Sequence, residues 1–446
     1  MSLDPRIGPL FTDFYELTMA AGYFDHQIVA EATFSVFLRE NPEGSRGYYV
    51  AAGLDDILEG LENFRFSDDD IRYLKETARF ADDFLDYLRS WRYRGSVHAM
   101  AEGTIFFPDE PILELTAPII DAQIVETFVL NAAGLQTLLA TKAARCVHVA
   151  EGRPLIDFSL RRTQGVDAGL KVARCTYIAG FPATSNVLGG KLYDIPVSGT
   201  MAHSFVSAFS SELEAFRAFA DTFPDQCVLL IDTYDTLDGA RNAVTVAREL
   251  RSKGKSLLGV RLDSGDMATL SRQVRQILDE AGFEEVKIFA SSGFDEFKIE
   301  RVLSEGARID AFGVGTKIGV SADLPYLDIV YKLVRYDGRD VRKLSPGKVT
   351  LAGKKQVFRF SGPDGRFRED VIGRRDETMP SAEPLLDCCM VGGRRTRPPE
   401  SLDELRRRFQ QNFACLDAAY KPLVSPAGYP VRISPALRRI QQGETT

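Results

Sequence analysis

Between Leu155 and Thr316 short apolar runs alternate with amphipathic helical stretches, and this rhythm restricts the segment to a parallel α/β architecture. The runs are Leu155-Ile156-Asp157-Phe158, Pro196-Val197-Ser198-Gly199, Val228-Leu229-Leu230-Ile231, Leu257-Leu258-Gly259-Val260, Val286-Lys287-Ile288-Phe289 and Ile309-Asp310-Ala311-Phe312. Strands this apolar are buried on both faces, as they are when crossover helices cover a parallel sheet. Gly254, Gly282 and Gly306 stand where the intervening helices should end, because glycine accepts the left-handed cap conformation without steric cost. A closed or nearly closed barrel is the leading arrangement, and an open doubly wound sheet is the second.

The flanks differ in texture. At 446 residues the chain exceeds one ordinary domain. Three segments are expected: an N-terminal α+β part over 1–140, the strand-helix part over 141–333, and a C-terminal part over 334–446. In the first, Phe11 to Tyr23 has helical spacing, Ala32 to Leu38 alternates like a strand, Phe66 to Trp91 reads as helix, and a long helix runs from Asp121 to Ala144. In the last, Arg335 to Phe360 reads as hairpins, with Tyr336-Asp337-Gly338 and Ser345-Pro346-Gly347 as turns, and Ser401 to Phe413 as the final helix.

Composition removes several function classes. With a formal net charge of -8, nothing neutralises a nucleic-acid backbone globally, although local arginines still suit small anions. Met1 to Arg6 lacks the pattern of a signal peptide, and no apolar run reaches the roughly 18 residues of a membrane span. The 6 cysteines show no C-x-x-C spacing and the 4 histidines are too few for a histidine-rich metal site. Reduced thiols in a cytoplasmic protein are therefore expected.

Chemistry in a parallel barrel sits at the carboxyl ends of the strands, and the unusual polar residues of this chain fall there repeatedly. Arg161 and Arg162 follow the first run, Thr200 and His203 the second, Asp232 and Asp235 the third. Arg261, Asp263, Ser264 and Asp266 follow the fourth, Ser291-Ser292-Gly293 the fifth, and Gly313-Val314-Gly315-Thr316 the sixth. Taken singly, Asp235, Ser264 and Asp266 read as helix N-caps. Together the six favour a shared pocket. His203 at a helix start is disfavoured in its protonated form and suits phosphoryl acceptance; its alternative is a backbone-satisfied histidine. Arg161 and Arg261 suit bidentate capture of carboxylate or phosphate, with a structural ion pair as the alternative. Asp232 and Asp263 suit ribose hydroxyls, positive charge on a sugar carbon, or Mg²⁺ through water; a cap is equally open. Phe158 and Tyr15 offer flat rings for a pyridine, against ordinary core packing.

In combination these motifs resemble nicotinate phosphoribosyltransferase. The resemblance runs through Thr12-Asp13-Phe14-Tyr15-Glu16-Leu17-Thr18-Met19, Asp157-Phe158-Ser159-Leu160-Arg161-Arg162 and Ser198-Gly199-Thr200-Met201-Ala202-His203-Ser204-Phe205. It continues in Asp232-Thr233-Tyr234-Asp235-Thr236, Gly259-Val260-Arg261-Leu262-Asp263-Ser264-Gly265-Asp266, Phe312-Gly313-Val314-Gly315-Thr316 and Lys343-Leu344-Ser345-Pro346-Gly347-Lys348. It implies an α/β fold: an irregular parallel barrel of the type II phosphoribosyltransferase kind, with an α+β sandwich domain formed by the N-terminal segment and returning C-terminal strands.

The implied reaction joins nicotinate to phosphoribosyl pyrophosphate, giving nicotinate mononucleotide and pyrophosphate with coupled ATP hydrolysis and Mg²⁺, the first step of NAD salvage from nicotinate. By the same resemblance His203 carries the phosphoryl group. Phe158 and Tyr15 sandwich the pyridine, Tyr15 from the other subunit of a homodimer, while Thr200 and Arg261 contact nicotinate. Arg161, Arg261, Asp263, Gly293, Gly313, Gly315 and Thr316 surround the phosphoribosyl group, and Asp232 lies near the reacting carbon. Ser185 takes the place where related enzymes for nicotinamide carry an acid, and a hydroxyl there tolerates a carboxylate substrate. The competing readings are a nicotinamide or quinolinate enzyme and a catalytically silent barrel that only binds.

Overall fold

A computed structural model describes residues 8–39, 46–342 and 350–442. The motif Lys343 to Lys348, with its expected Ser345-Pro346-Gly347 turn, lies outside the described residues. The chain divides into two compact units, Met1–Thr141 with Tyr326–Thr446, and Lys142–Pro325. The middle segment therefore ends at Pro325 and not at residue 333, because the strand Ile329–Tyr336 pairs antiparallel with Glu31–Leu38 of the first unit.

Six parallel strands build the second unit: β1 (Leu155–Asp157), β2 (Ala183–Thr184), β3 (Val228–Leu230), β4 (Gly259–Leu262), β5 (Lys287–Ala290) and β6 (Ala311–Val314). Their order is β2-β1-β6-β5-β4-β3, all neighbours parallel. Every residue of β3 and β6 is buried, as a sheet covered on both faces requires. The run Pro196 to Gly199 forms no strand of its own. It makes one parallel bridge, Thr184 to Val197, beside the two-residue β2. Pro196 has no N–H to donate to a ladder, so only its carbonyl and the Ser198 N–H pair with Thr184.

The helices between the strands are capped where the sequence places caps. Asp235 accepts from the N–H groups of Leu237 and Asp238 and starts Thr236–Ser252. Asp266 does the same for Met267–Glu280. Gly254, Gly282 and Gly306 take φ of 70°, 76° and 79° just beyond the helix ends. The helical stretch that starts at His203 is in two pieces, His203–Ser207 and Glu212–Thr222. Ser211 causes the break by capping the second piece, its hydroxyl accepting from the Glu214 N–H.

In the first unit the long strand Glu31–Leu38, buried from Ala32 to Leu38, sits inside a seven-stranded sheet. C-terminal strands complete that sheet on both sides: Ile329–Tyr336 beside Glu31–Leu38, and Leu386–Val391 beside Ser96–Met100. A second sheet contains Lys355–Ser361 and Phe367–Arg374. The helix expected over Phe66 to Trp91 is two, Asp68–Glu76 and Asp82–Ser90, the first opened by the Ser67 capping box. Beyond Leu402–Cys415 a further helix, Pro435–Gln442, follows the one expected to be last.

Candidate active site

The carboxyl ends of β3, β4 and β5 tie a polar cluster together. Asp232, just past β3, is buried, and its Oδ2 accepts from the Asp263 backbone N–H and the Ser264 hydroxyl, both at 2.7 Å. Ser264 is thus a partner of Asp232, not a helix cap. Ser291, just past β5, donates its hydroxyl to Asp263 Oδ1. His203 faces the same group: its Nδ1 lies 3.1 Å from the Thr233 hydroxyl and its Nε2 3.8 Å from Asp263 Oδ2. Both His203 and Asp263 keep substantial exposure, at 44% and 38%, so a ligand can reach them.

Arg261 points across from β4. One of its terminal nitrogens donates to the Thr200 hydroxyl and the other to the Met201 carbonyl at 2.8 Å. Its buried Nε has no protein partner. Burial pulls the guanidinium below its ordinary value, and Asp263 and Asp232 oppose that pull. Asp232 Oδ1 is likewise buried without a partner. A buried carboxylate oxygen left without any partner costs about 1–3 kcal/mol or more, which a water, an ion or a ligand group can offset.

Phe158, Ser185, Thr200, Arg261 and Gly313 line one cavity of about 640 Å³. Gly313 is required by close approach: a Cβ there would lie 2.5 Å from the Phe158 ring. The ring is aimed by its own backbone, since the Phe158 N–H donates to the Val314 carbonyl at 2.8 Å and extends the β1–β6 pairing. Buried Asp157 holds the turn after β1 by accepting from the Ser159 N–H at 2.9 Å and the Thr184 hydroxyl at 2.7 Å. The Ser185 N–H donates to the Asp157 carbonyl.

Arg161 is exposed in the turn Leu160–Arg162, close enough to Arg261 to lower its affinity for a proton, and forms no ion pair among the described residues. Gly293 follows β5 with φ of 63°. Gly315 precedes the short helix that Thr316 begins, 3.0 Å from the Phe158 carbonyl at its would-be Cβ. Tyr15 lies in the first unit on the helix Phe14–Asp25 and is 49% exposed. Lys317, in the short helix that Thr316 begins, is engaged by Asp295 at 2.7 Å. Sequence reasoning gave no role to Asp157, Thr233 or Ser291. Their only signal is a small polar group at a strand end, which is also the signature of a cap.

The parallel α/β sheet thus carries an arginine, two carboxylates and a histidine in and just beyond its carboxyl-terminal strand ends. Family models agree in all three parts of the chain. The nicotinate phosphoribosyltransferase N-terminal domain matches residues 10–133, the nicotinate phosphoribosyltransferase family 154–354, and the C-terminal domain 378–441. The nicotinate phosphoribosyltransferase pncB2 of Mycobacterium tuberculosis is 47% identical over 436 residues, 97% of this chain and 93% of that protein. The Bacillus subtilis nicotinate phosphoribosyltransferase is 40% identical over 95% of this chain and 92% of its own length. The crystal structure of human nicotinic acid phosphoribosyltransferase superposes with a TM-score of 0.88 at 30% identity, covering 97% of this chain and 100% of that one. The chain belongs to the nicotinate phosphoribosyltransferase family.

Proposed function

We infer that this enzyme condenses nicotinate with phosphoribosyl pyrophosphate to give nicotinate mononucleotide and pyrophosphate, with ATP hydrolysis coupled through His203. One observation carries the reading. An aromatic face (Phe158) and a half-buried arginine with a free Nε (Arg261) line one cavity, and the same Arg261 feels the charge of Asp263 and Asp232, which belong to the cluster with His203. In this assignment the nicotinate ring stacks on Phe158 and its carboxylate meets Arg261 and Thr200. Ser185 offers a hydroxyl where an acid would repel the substrate. Tyr15 closes the other ring face from the partner subunit of a homodimer. Exposure of Phe11, Phe14, Tyr15 and Met19 on one short stretch of the first unit supports a covered surface there.

The phosphoribosyl group is assigned to Arg161, Arg261, Asp263, Gly293, Gly313, Gly315 and Thr316. The ring nitrogen attacks the sugar carbon as pyrophosphate departs. Positive charge grows on that carbon, and Asp232 and Asp263 lower its energy. The orphaned Oδ1 of Asp232 and the oxygen-only donors fit Mg²⁺, which holds few protein ligands and keeps water and substrate phosphate. Bound there, the ion would neutralise the leaving pyrophosphate. His203 is assigned the phosphoryl group, and the contact of its Nδ1 with Thr233 supports that reading. Val197 and Val228, from opposite edges of the parallel sheet, line the same cavity, which supports an irregular barrel. The antiparallel sheets of the first unit are read as the α+β sandwich. Six free cysteines fit a reducing, cytoplasmic setting. Among the described residues no helix is long and apolar enough to cross a membrane.

The test is mononucleotide formation by the purified chain from nicotinate, phosphoribosyl pyrophosphate and Mg²⁺, with nicotinamide and quinolinate as competitors. Nicotinate should be consumed in preference to both, and ATP should raise turnover and leave an acid-labile phosphate that His203→Ala abolishes. Preference for the amide or diacid would reassign the substrate. Binding without turnover would support a silent barrel. ATP stimulation that survives in the alanine variant would exclude the phosphohistidine.

A further inference from the structure

The turn after β5 is held by a side chain from outside the cluster described so far. Ser292 has φ of 90°, in the left-handed region that non-glycine residues avoid, and Gly293 follows at 63°. Lys298, in the first turn of the helix Glu296–Ser304, donates from Nζ to the Ser292 carbonyl at 2.6 Å. Its ammonium also lies 4.5 Å from the centroid of the buried Phe294 ring, and its own N–H is anchored on Asp295 at 2.8 Å. Among the described residues Lys298 forms no ion pair, and one carbonyl is its polar partner. Burial lowers its affinity for a proton, the neighbouring cations Arg301 and Lys317 lower it further, and Asp295 and Asp263 oppose them.

We propose that Lys298 is a positioning residue for the phosphoribosyl subsite, pinning the strained Ser292 carbonyl and so fixing Gly293 on one side and, through Ser291, the Asp263 carboxylate on the other. The linkage is continuous. Lys298 holds Ser292, the adjacent Ser291 hydroxyl donates to Asp263 Oδ1, and the Asp263 N–H donates to Asp232. This inference rests on the assignment of Gly293 and Asp263 to the phosphoribosyl substrate.

The experiment compares Lys298→Met, Lys298→Gln, Lys298→Arg, Ser292→Gly and Lys298→Met/Ser292→Gly for KM of each substrate, kcat, thermal midpoint and amide exchange at Ser291. Lys298→Met should raise KM for phosphoribosyl pyrophosphate about tenfold and leave KM for nicotinate within about twofold. The glutamine, which still donates to a carbonyl, should fall between methionine and wild type, and the arginine should stay within about threefold. Glycine adopts the left-handed conformation freely, so Ser292→Gly alone should be near wild type and should recover most of the loss in the double variant. Equal impairment of Lys298→Met with and without Ser292→Gly would overturn the proposal, since the ammonium would then act on the phosphate directly. So would a nicotinate KM that rises in parallel. Amide exchange does not depend on turnover. Faster exchange at the Ser291 N–H, which donates to the Leu262 carbonyl at 2.8 Å, is expected in Lys298→Met even if wild-type enzyme made no mononucleotide, which would count against the enzyme reading and not against the pinned turn. Unchanged exchange would refute the pin itself.

Discussion

Replacing Gly313 by alanine isolates one contact. The backbone at Gly313 lies outside the left-handed region, so alanine adds a methyl group and no backbone strain. That methyl would sit 2.5 Å from Cδ2 and Cε2 of Phe158 and 3.3 Å from the Ser291 Cβ. Ordinary contact begins near 3.4 Å, so the ring must withdraw about 0.9 Å. Its backbone N–H is fixed to Val314, which leaves rotation of the side chain into the cavity as the available response. Overpacking of this kind costs about 1–3 kcal/mol. If the ring relaxes into space that nicotinate needs, the cost falls on binding, and KM for nicotinate should rise about 5- to 150-fold. Steady-state kinetics with nicotinate varied at saturating phosphoribosyl pyrophosphate measures it. Phe158→Ala should also raise this KM, and the double variant should be no worse than Phe158→Ala alone, because the clash disappears with the ring. An unchanged nicotinate KM in Gly313→Ala, or full additivity of the two losses, would refute the placement of the pyridine against Phe158.

Asp232→Asn keeps the shape but removes the charge, and kcat should fall about 100-fold with little change in nicotinate KM; a kcat within threefold of wild type would remove Asp232 from the reacting centre. Burial raises the Glu16 carboxyl to about 7, despite hydrogen bonds from Thr12 and Thr127. The folded chain thus holds a proton that the unfolded chain releases near 4.5. The resulting stability is full below pH 4.5 and is lost as pH rises through 7. Denaturation of wild type and Glu16→Gln across that range should show the gap closing in the variant's favour as pH rises, and a constant gap would contradict the assignment. Arg359 and Asp370 form a fully buried bidentate pair that Tyr429 also bonds. Arg359→Met strands the carboxylate and should cost about 3–5 kcal/mol in denaturant unfolding, where a loss below 1 kcal/mol would argue that the pair is not buried in solution.

The sequence announced the parallel sheet through its apolar runs, because a strand buried on both faces leaves a mark that does not depend on its neighbours. Five of the six runs lie at the observed strands, though strand ends shifted by a residue or two, as at Gly259–Leu262. Pro196 to Gly199 misled because apolar character says nothing about donors, and proline removes one. The two-residue β2 was invisible, since two residues carry no periodicity. In the site, charged and aromatic residues stood out: His203, Asp232, Arg261 and Phe158 are rare types at strand ends. Asp157, Ser291 and Lys298 did not, because their importance lies in which backbone group they meet. Caps at Asp235 and Asp266 and a site partner at Ser264 look alike in one dimension. Only the register of adjacent strands, such as Leu230 opposite Arg261, separates them.

A crystal structure of the enzyme with nicotinate mononucleotide and Mg²⁺-pyrophosphate would test the shared cavity most directly. The pyridine ring should lie against Phe158 with its carboxylate on Arg261 and Thr200, the ribose phosphate among Arg161, Gly293 and Gly313 to Thr316, and the pyrophosphate beside Asp232. Nucleotide bound away from the ends of β4 and β6, or a pyridine carboxylate that leaves Arg261 untouched, would contradict it.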